Sequence, residues 1–321
     1  MPNGFNVASK AVNAMQNRIL LGIISLCLGV MVFSLQDPVI KAVSGRYPLM
    51  EVMAIRSIVS LPILLIIVHK DVGLRALFSP NYRLLGLRAA ILFTSYTAYY
   101  LALAALPLAD AVALYFMAPL FIIMLARPYL GEHISWPSAV TAVVGLIGVL
   151  VMVRPGQGVF EWAAMLSLLS AGLYGFSQLM ARKLGSTESS TVMSFYQNGA
   201  YLIGAAVLGF ALQTIGMENV THPSLKFLVR PWIWPTLSDF LLMASCGFIA
   251  SAGMILLSQA YRLAPANIVA TFEYTGILWA PLWGFVFFAE VPQAATIMGA
   301  ALIIGAGLFA LNARLGARAP A

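Results

Sequence analysis

Glu273 stands in a run of apolar residues, FEYTGILWAPLWGFVFFAE from Phe272 to Glu290. A carboxylate in that setting can bind a cationic group on a ligand, or it can carry a coupling proton. A charged side chain near the centre of a membrane helix costs roughly 2.5–3.5 kcal/mol on insertion scales, so it faces a cavity, a partner helix or a pathway. The bland reading is a structural hydrogen bond to another helix. On a helical wheel Glu273, Ile277, Ala280 and Gly284 form one stripe, whose small residues suit a cavity or a protein neighbour. Phe272, Gly276, Trp279 and Trp283 form the stripe beside it. These positions make Glu273, Tyr274 and Trp279 candidate binding or coupling residues.

Other polar residues interrupt apolar runs in the same way. Arg56 lies inside the run 49–68, and arginine keeps its charge. Asp37 and Lys41 are four apart and can pair along one helix. The expected arrangement places Asp37 near Arg56 when an outer mouth is shut, with Asp37 and Lys41 as gating residues. Gln178, Gln197, Asn198 and Gln259 offer neutral donors and acceptors that either line a cavity or bond between helices. Tyr96, Tyr99 and Tyr100 share one helix face, and tyrosine, with an apolar body and a polar tip, suits a cavity wall for amphipathic ligands.

The elements that must hold these residues are membrane helices. Of 321 residues, 61% are hydrophobic and 9% charged, with a mean hydropathy of +0.91; soluble domains carry about 25% charged residues. A crossing helix takes about 20 apolar residues, so the chain has length for about ten crossings. The expected spans are 19–40, 49–68, 84–105, 108–126, 134–153, 160–181, 191–212, 238–260, 266–288 and 294–312. Pro38, Pro62, Pro119 and Pro281 fall within spans and are expected flexing points. The first apolar run is longer than a signal-peptide core and has no A-x-A site behind it, so its helix is expected to be retained.

Basic residues stay on the cytoplasmic side of short loops. With the N-terminus inside, twelve Lys and Arg residues, Arg88 counted among them, fall on that side, and five (Lys41, Arg46, Arg154, Lys226 and Arg230) fall on the other. Both termini are therefore expected in the cytoplasm of a cytoplasmic (inner) membrane, and the net charge of +7 reflects topology rather than a nucleic-acid surface. PWIWP, at Pro231 to Pro235, reads as an interfacial aromatic anchor, with a shield over the outward mouth as the sharper alternative.

Enzyme chemistry finds little support in the sequence. His69, His133 and His222 fall in loops, no H-E-x-x-H occurs, and no G-x-x-x-x-G-K-[ST] loop is present to serve a nucleotide-driven pump. Cys27 and Cys246 read as small buried hydrophobes. Neither a cofactor nor a metal site is expected.

The chain also reads as written twice. One shift places Gln36 on Gln178 and Lys41 on Lys183; another places Ala102 on Ala260, Pro107 on Pro265 and Glu132 on Glu290. Under the second, Tyr115 takes the place of Glu273 and Phe116 that of Tyr274. Because five spans precede the repeat, the second copy inserts inverted.

LPLADAVALYFMAPLFIIMLARPYLGE, followed by the helix of Gly145 and Gly148 and by VMVRPG, resembles the first half of EamA-type proteins in the drug/metabolite transporter superfamily. FEYTGILWAPLWGFVFFAEVP resembles the matching segment of their second half, and the likeness runs from about residue 19 to 312. The resemblance implies an all-α membrane protein of ten transmembrane helices, two inverted five-helix repeats around a central cavity. The expected organisation is a cytoplasmic segment 1–18, a first repeat 19–153, a second repeat 160–312 with a longer outside loop 213–237, and a cytoplasmic tail 313–321. It also implies secondary transport of a small organic metabolite by alternating access, as a monomer or homodimer. Together with Glu273, this gives an amino-acid-like or cationic amine substrate as the expectation, with a proton as candidate coupling ion. The alternatives are an organic acid, a vitamin or a nucleoside-like cofactor such as S-adenosylmethionine, and, outside transport, a membrane sensor or an intramembrane enzyme.

Overall fold

The computed structural model describes residues 3–106, 111, 114–153, 162–215, 222–288 and 294–316, and among these it is all helix and turn. In chain order the helices are α1 (Asn3–Ser34), α2 (Gln36–Ser44), α3 (Leu49–Asp71), α4 (Tyr82–Ala105), α5 (Ala118–Leu130), α6 (Trp136–Val153) and α7 (Trp162–Leu184). They continue with α8 (Ser190–Ile215), α9 (Pro223–Val229), α10 (Leu237–Leu263), α11 (Ala266–Val269), α12 (Trp279–Phe288) and α13 (Ala294–Gly316). A 3-10 segment, Ala270–Leu278, joins α11 to α12, and a short 3-10 turn, Leu74–Leu77, precedes α4.

Among the described residues, five stretches are long and apolar enough to cross a bilayer: Gln16–Ile40, Leu49–Asp71, Trp162–Leu184, Ser190–Thr214 and Leu237–Leu263. Ala118–Leu130, Trp136–Val151 and Ile297–Phe309 are shorter apolar helices. Their outward faces are apolar as well. On α8, Ile203, Val207 and Phe210 follow each other at helical spacing and are 65%, 64% and 72% exposed. A continuous stripe of that kind is favourable only against hydrocarbon, so the fold is that of a helical membrane protein.

Several elements differ from the sequence expectation. The polar N-terminal stretch is helical from Asn3, and the expected span 19–40 is bent rather than single, with α1 ending at Ser34 and α2 starting at Gln36. Pro38 supplies the cause, since its ring displaces the carbonyl four residues back, that of Ser34. By contrast, α3 continues through Pro62. The expected loop 213–237 contains α9, whose Ser224 hydroxyl donates to the Leu101 carbonyl of α4 at 2.6 Å.

The largest difference is the ninth span, expected as one α-helix over 266–288. Its middle is wound as a 3-10 helix for nine residues, where runs beyond 3–4 are uncommon. At three residues per turn, neighbours on a face recur at i+3, so the α-helical stripe of Glu273, Ile277, Ala280 and Gly284 does not hold. The side chains of Ala280 and Gly284 lie outside the described residues. The residues of the 3-10 segment that reach the cavity described below are Glu273, Gly276 and Ile277.

The helices pack in recurring pairs: α1 along α10, α4 along α7, α3 along α8 and α6 along α13. α3 also meets α10, α4 meets α8, α5 meets α7, and α1 meets the 3-10 segment. Small residues set the closest approaches, as membrane helices require in place of a hydrophobic drive. A Cβ on Gly22 of α1 would lie 2.8 Å from the Ala264 Cβ, and one on Gly148 of α6 would lie 3.0 Å from the Gly299 carbonyl of α13.

Candidate functional site

A cavity of about 710 Å3 lies among α1, α2, α4, α7, α8, α10 and the 3-10 segment, within the size range of small-molecule sites. At one end its lining includes Pro223 and Lys226 of α9, both exposed, so the cavity meets the surface there. Glu273 sits in its wall at 6% exposure. The hydroxyls of Tyr174 (α7) and Tyr261 (α10) both donate to its Oε1, at 2.8 and 2.6 Å. The ion pairs among the described residues are Arg46–Asp239 and Arg182–Glu132, so no cation among the described residues neutralises this carboxylate. Its Oε2, without a hydrogen-bond partner among the described residues, can hold a proton or accept from an ammonium.

An aromatic wall connects Glu273 to the mouth. Tyr174 contacts Tyr115 (ring centroids 5.6 Å apart), Tyr115 contacts Tyr99 (4.8 Å) and Tyr99 contacts Tyr100 (5.2 Å). Tyr100 then donates its hydroxyl to Asp37 Oδ1 of α2 at 3.2 Å. The tilted and edge-on rings present both faces and edges to an occupant.

Of the residues singled out from the sequence, Glu273, Tyr115, Tyr99, Gln178 and Asp37 line the cavity. So do Tyr96, Tyr100 and Gln197, whereas Arg56, Asn198, Tyr274 and Trp279 do not. Arg56 is fully buried; its Nη1 donates to Gln36 Oε1 at 3.0 Å and to the Tyr96 hydroxyl at 2.7 Å, and its guanidinium lies over the Tyr96 and Tyr201 rings. Gln36, not Asp37, is therefore its polar neighbour on α2. Asn198 donates to the Ser57 carbonyl at 3.0 Å. Tyr274 stacks on Phe116, and Trp279 stacks on Trp283, whose indole donates to Ser34 Oγ at 2.6 Å. Lys41 belongs to α2, but its side chain lies outside the described residues.

Sequence reasoning missed Arg88, Tyr174 and Tyr261. Arg88, counted above with the cytoplasmic loops, is 2% exposed inside α4 and lines the cavity. Its Nε donates to the Ser177 carbonyl at 3.2 Å and its Nη2 to Ser258 Oγ at 3.4 Å. The signal was available, because Arg88 falls inside the apolar span that begins at 84. Removing it leaves the basic-residue vote at eleven against five. The tyrosines carried no such mark among the chain's twelve.

The other end of the bundle is sealed. Glu132, after α5, pairs with Arg182 at the end of α7 (3.2 Å) and accepts the backbone N–H groups of Ala266 and Asn267 that open α11 (3.1 and 3.2 Å). Arg182 donates to the Arg262 carbonyl, Arg262 donates to the Glu188 carbonyl, and the Glu188 carboxylate accepts from Ser79 and Asn81. None of these residues lines the cavity.

Comparison with known proteins agrees with this architecture. Residues 20–154 match the EamA-like transporter family. The chain is 30% identical to the pseudopaline exporter CntI of Pseudomonas aeruginosa over 88% of this chain and 93% of that protein. It is 27% identical to an S-adenosylmethionine uptake transporter of Rickettsia prowazekii, over 90% and 91% of the two chains. It is also 30% identical to a riboflavin transporter of Rhizobium johnstonii, over 65% and 64%. A solved crystal structure superposes with a TM-score of 0.74 at 17% identity, covering 95% of this chain and 99% of that one, which shows the shared fold. The chain therefore belongs to the EamA-like transporter family: it is a multi-pass membrane transporter of small metabolites and not an enzyme.

Proposed function

We propose that this protein is a secondary active transporter of an amino-acid-like or cationic amine metabolite, working by alternating access in the cytoplasmic membrane with both termini in the cytoplasm. The observation that carries the reading is the Glu273 carboxylate, set in the wall of an accessible cavity, steadied by two tyrosine hydroxyls and paired with no cation among the described residues. An ammonium group on the substrate neutralises it, and in the substrate's absence a proton does so. The sealed end carries Arg182 and Arg262 and so corresponds to the basic, cytoplasmic side expected from the sequence, which makes the present conformation outward-facing.

Ten spans in two inverted halves fit the packing. Exchanging the halves turns the pair α1–α10 into α7–α4, and turns α3–α8 and α6–α13 into themselves. The break at Phe116 and Met117 and the 3-10 segment around Glu273 fall at repeat-related positions. Phe116 and Tyr274, partners under the repeat, stack with their ring centroids 6.1 Å apart. These paired departures from α geometry are the proposed flexing points, with Asp37 and Lys41 at the outer gate, while Arg56 braces α2, α3 and α4.

The test is flux in liposomes holding the purified full chain, using labelled amino acids and amines with and without a proton gradient. Wild-type protein is expected to transport a member of this set with a rate that depends on pH. Glu273→Gln is expected to fold normally and to lose roughly 10- to 100-fold of that rate, the worth of a hydrogen bond to a charged group. Its residual rate should be flat with pH. Full-rate transport with an unchanged pH profile in the variant contradicts the assignment.

A further inference from the structure

Arg88 lies in the cavity wall as Glu273 does, and it has no carboxylate partner among the described residues. Its Nε and Nη2 are taken by the Ser177 carbonyl and Ser258 Oγ, which leaves Nη1 without a hydrogen-bond partner among the described residues. Glu273 is held by the same two helices, through Tyr174 of α7 and Tyr261 of α10. Tyr174 and Ser177 are three residues apart, as are Ser258 and Tyr261, so each helix separates the two attachment points by about 4.5 Å of rise.

α7 and α10 run in the same direction in the proposed topology, yet Glu273 binds the earlier residue of the pair on α7 and the later one on α10. Both charges are therefore anchored within one helical turn of the same two helices. No ion pair joins them; the guanidinium is held by the Ser177 carbonyl and Ser258 and the carboxylate by Tyr174 and Tyr261.

We infer that Arg88 and Glu273 together form a receptor for a zwitterionic head group, an ammonium and a carboxylate carried close together as in a free α-amino acid. This rests on the proposed role of Glu273 and adds the second half of the substrate's chemistry. The ammonium donates to Glu273 Oε2, and the carboxylate accepts from Arg88 Nη1. Bridging the two charges neutralises both at once, which neither a simple amine nor a simple acid can do. The remainder of the substrate then lies toward Tyr99 and Tyr115.

The experiment measures the thermal stability of the purified full chain with each standard amino acid, with the amine left by its decarboxylation and with the acid left when its ammonium is replaced by hydrogen. At least one amino acid is expected to bind at least about tenfold more tightly than both of its counterparts. Arg88→Gln should bring amino acid and amine to nearly equal affinity while leaving amine binding in place, and Arg88→Lys should restore part of the difference. Amines that bind wild-type protein as tightly as their amino acids overturn the role of Arg88 and leave that of Glu273 standing. Failure of every amino acid and every amine to bind overturns both. The wild-type comparison requires no variant, so it decides the matter even where Arg88→Gln fails to fold.

Discussion

Both ends of the bundle carry bonded polar groups and use them differently. At the sealed end the carboxylates of Glu132 and Glu188 tie the loops after α5 and α7 to the starts of α11 and α4, and the Glu188 backbone carbonyl, accepting from Arg262, ties the second of these loops to the end of α10. At the mouth, Asp239 is held by Tyr47 at 2.7 Å and, more loosely, by Arg46 at 3.6 Å, while Ile233 N donates to Glu51. These mouth contacts fasten α10 and its leading loop to α2 and α3 and do not bridge the gap between α2 and α9. Access is therefore governed by where the bonded groups sit. Under alternating access, the sealed network must come apart when the mouth closes.

Glu132→Ala removes an ion pair and the acceptor for two backbone donors, so it should have the largest effect on this difference. The expected shift toward an opened sealed end is about 2–3 kcal/mol, or roughly 30- to 150-fold in population. It is read by labelling Leu257→Cys, in protein lacking Cys27 and Cys246, with an impermeant maleimide applied from the sealed side. Unchanged labelling means that the network does not hold that end shut. Tyr47→Phe removes one hydrogen bond at the mouth and should cost about 1 kcal/mol of stability, with labelling from the sealed side unaltered. Arg46→Ala should do least, because Arg46 is 73% exposed and its pairing is worth at most a few tenths of a kcal/mol. A melting temperature changed more by Arg46→Ala than by Tyr47→Phe would reverse the ranking.

Much of this could be read before any coordinates, because hydropathy and span length dictate helices wherever backbone groups lose access to water. Glu273 stood out for the same reason, as a carboxylate with no water in its expected surroundings. The 3-10 winding around it was hidden, since a uniformly apolar segment has the same composition in either helix type. Arg88 was passed over although it falls inside its span, because near a span end a basic residue ordinarily marks the loop. Arg56 had the opposite fate: it is conspicuous in the sequence, but Gln36, Tyr96 and the ring of Tyr201 occupy it behind the cavity lining. α9 is seven residues long and lies among prolines and aromatics, so no periodic signal announced it.

The central claim is that the Glu273 carboxyl looks onto a water-accessible chamber and takes up a substrate cation. A water-soluble carbodiimide, applied to wild-type protein and followed by peptide mass spectrometry, addresses it most directly. The account predicts an adduct at Glu273 that is suppressed by a transported amino acid or amine and absent in Glu273→Gln. An adduct formed only by a lipid-soluble carbodiimide and unaffected by any amine would place the carboxyl against acyl chains and contradict the account.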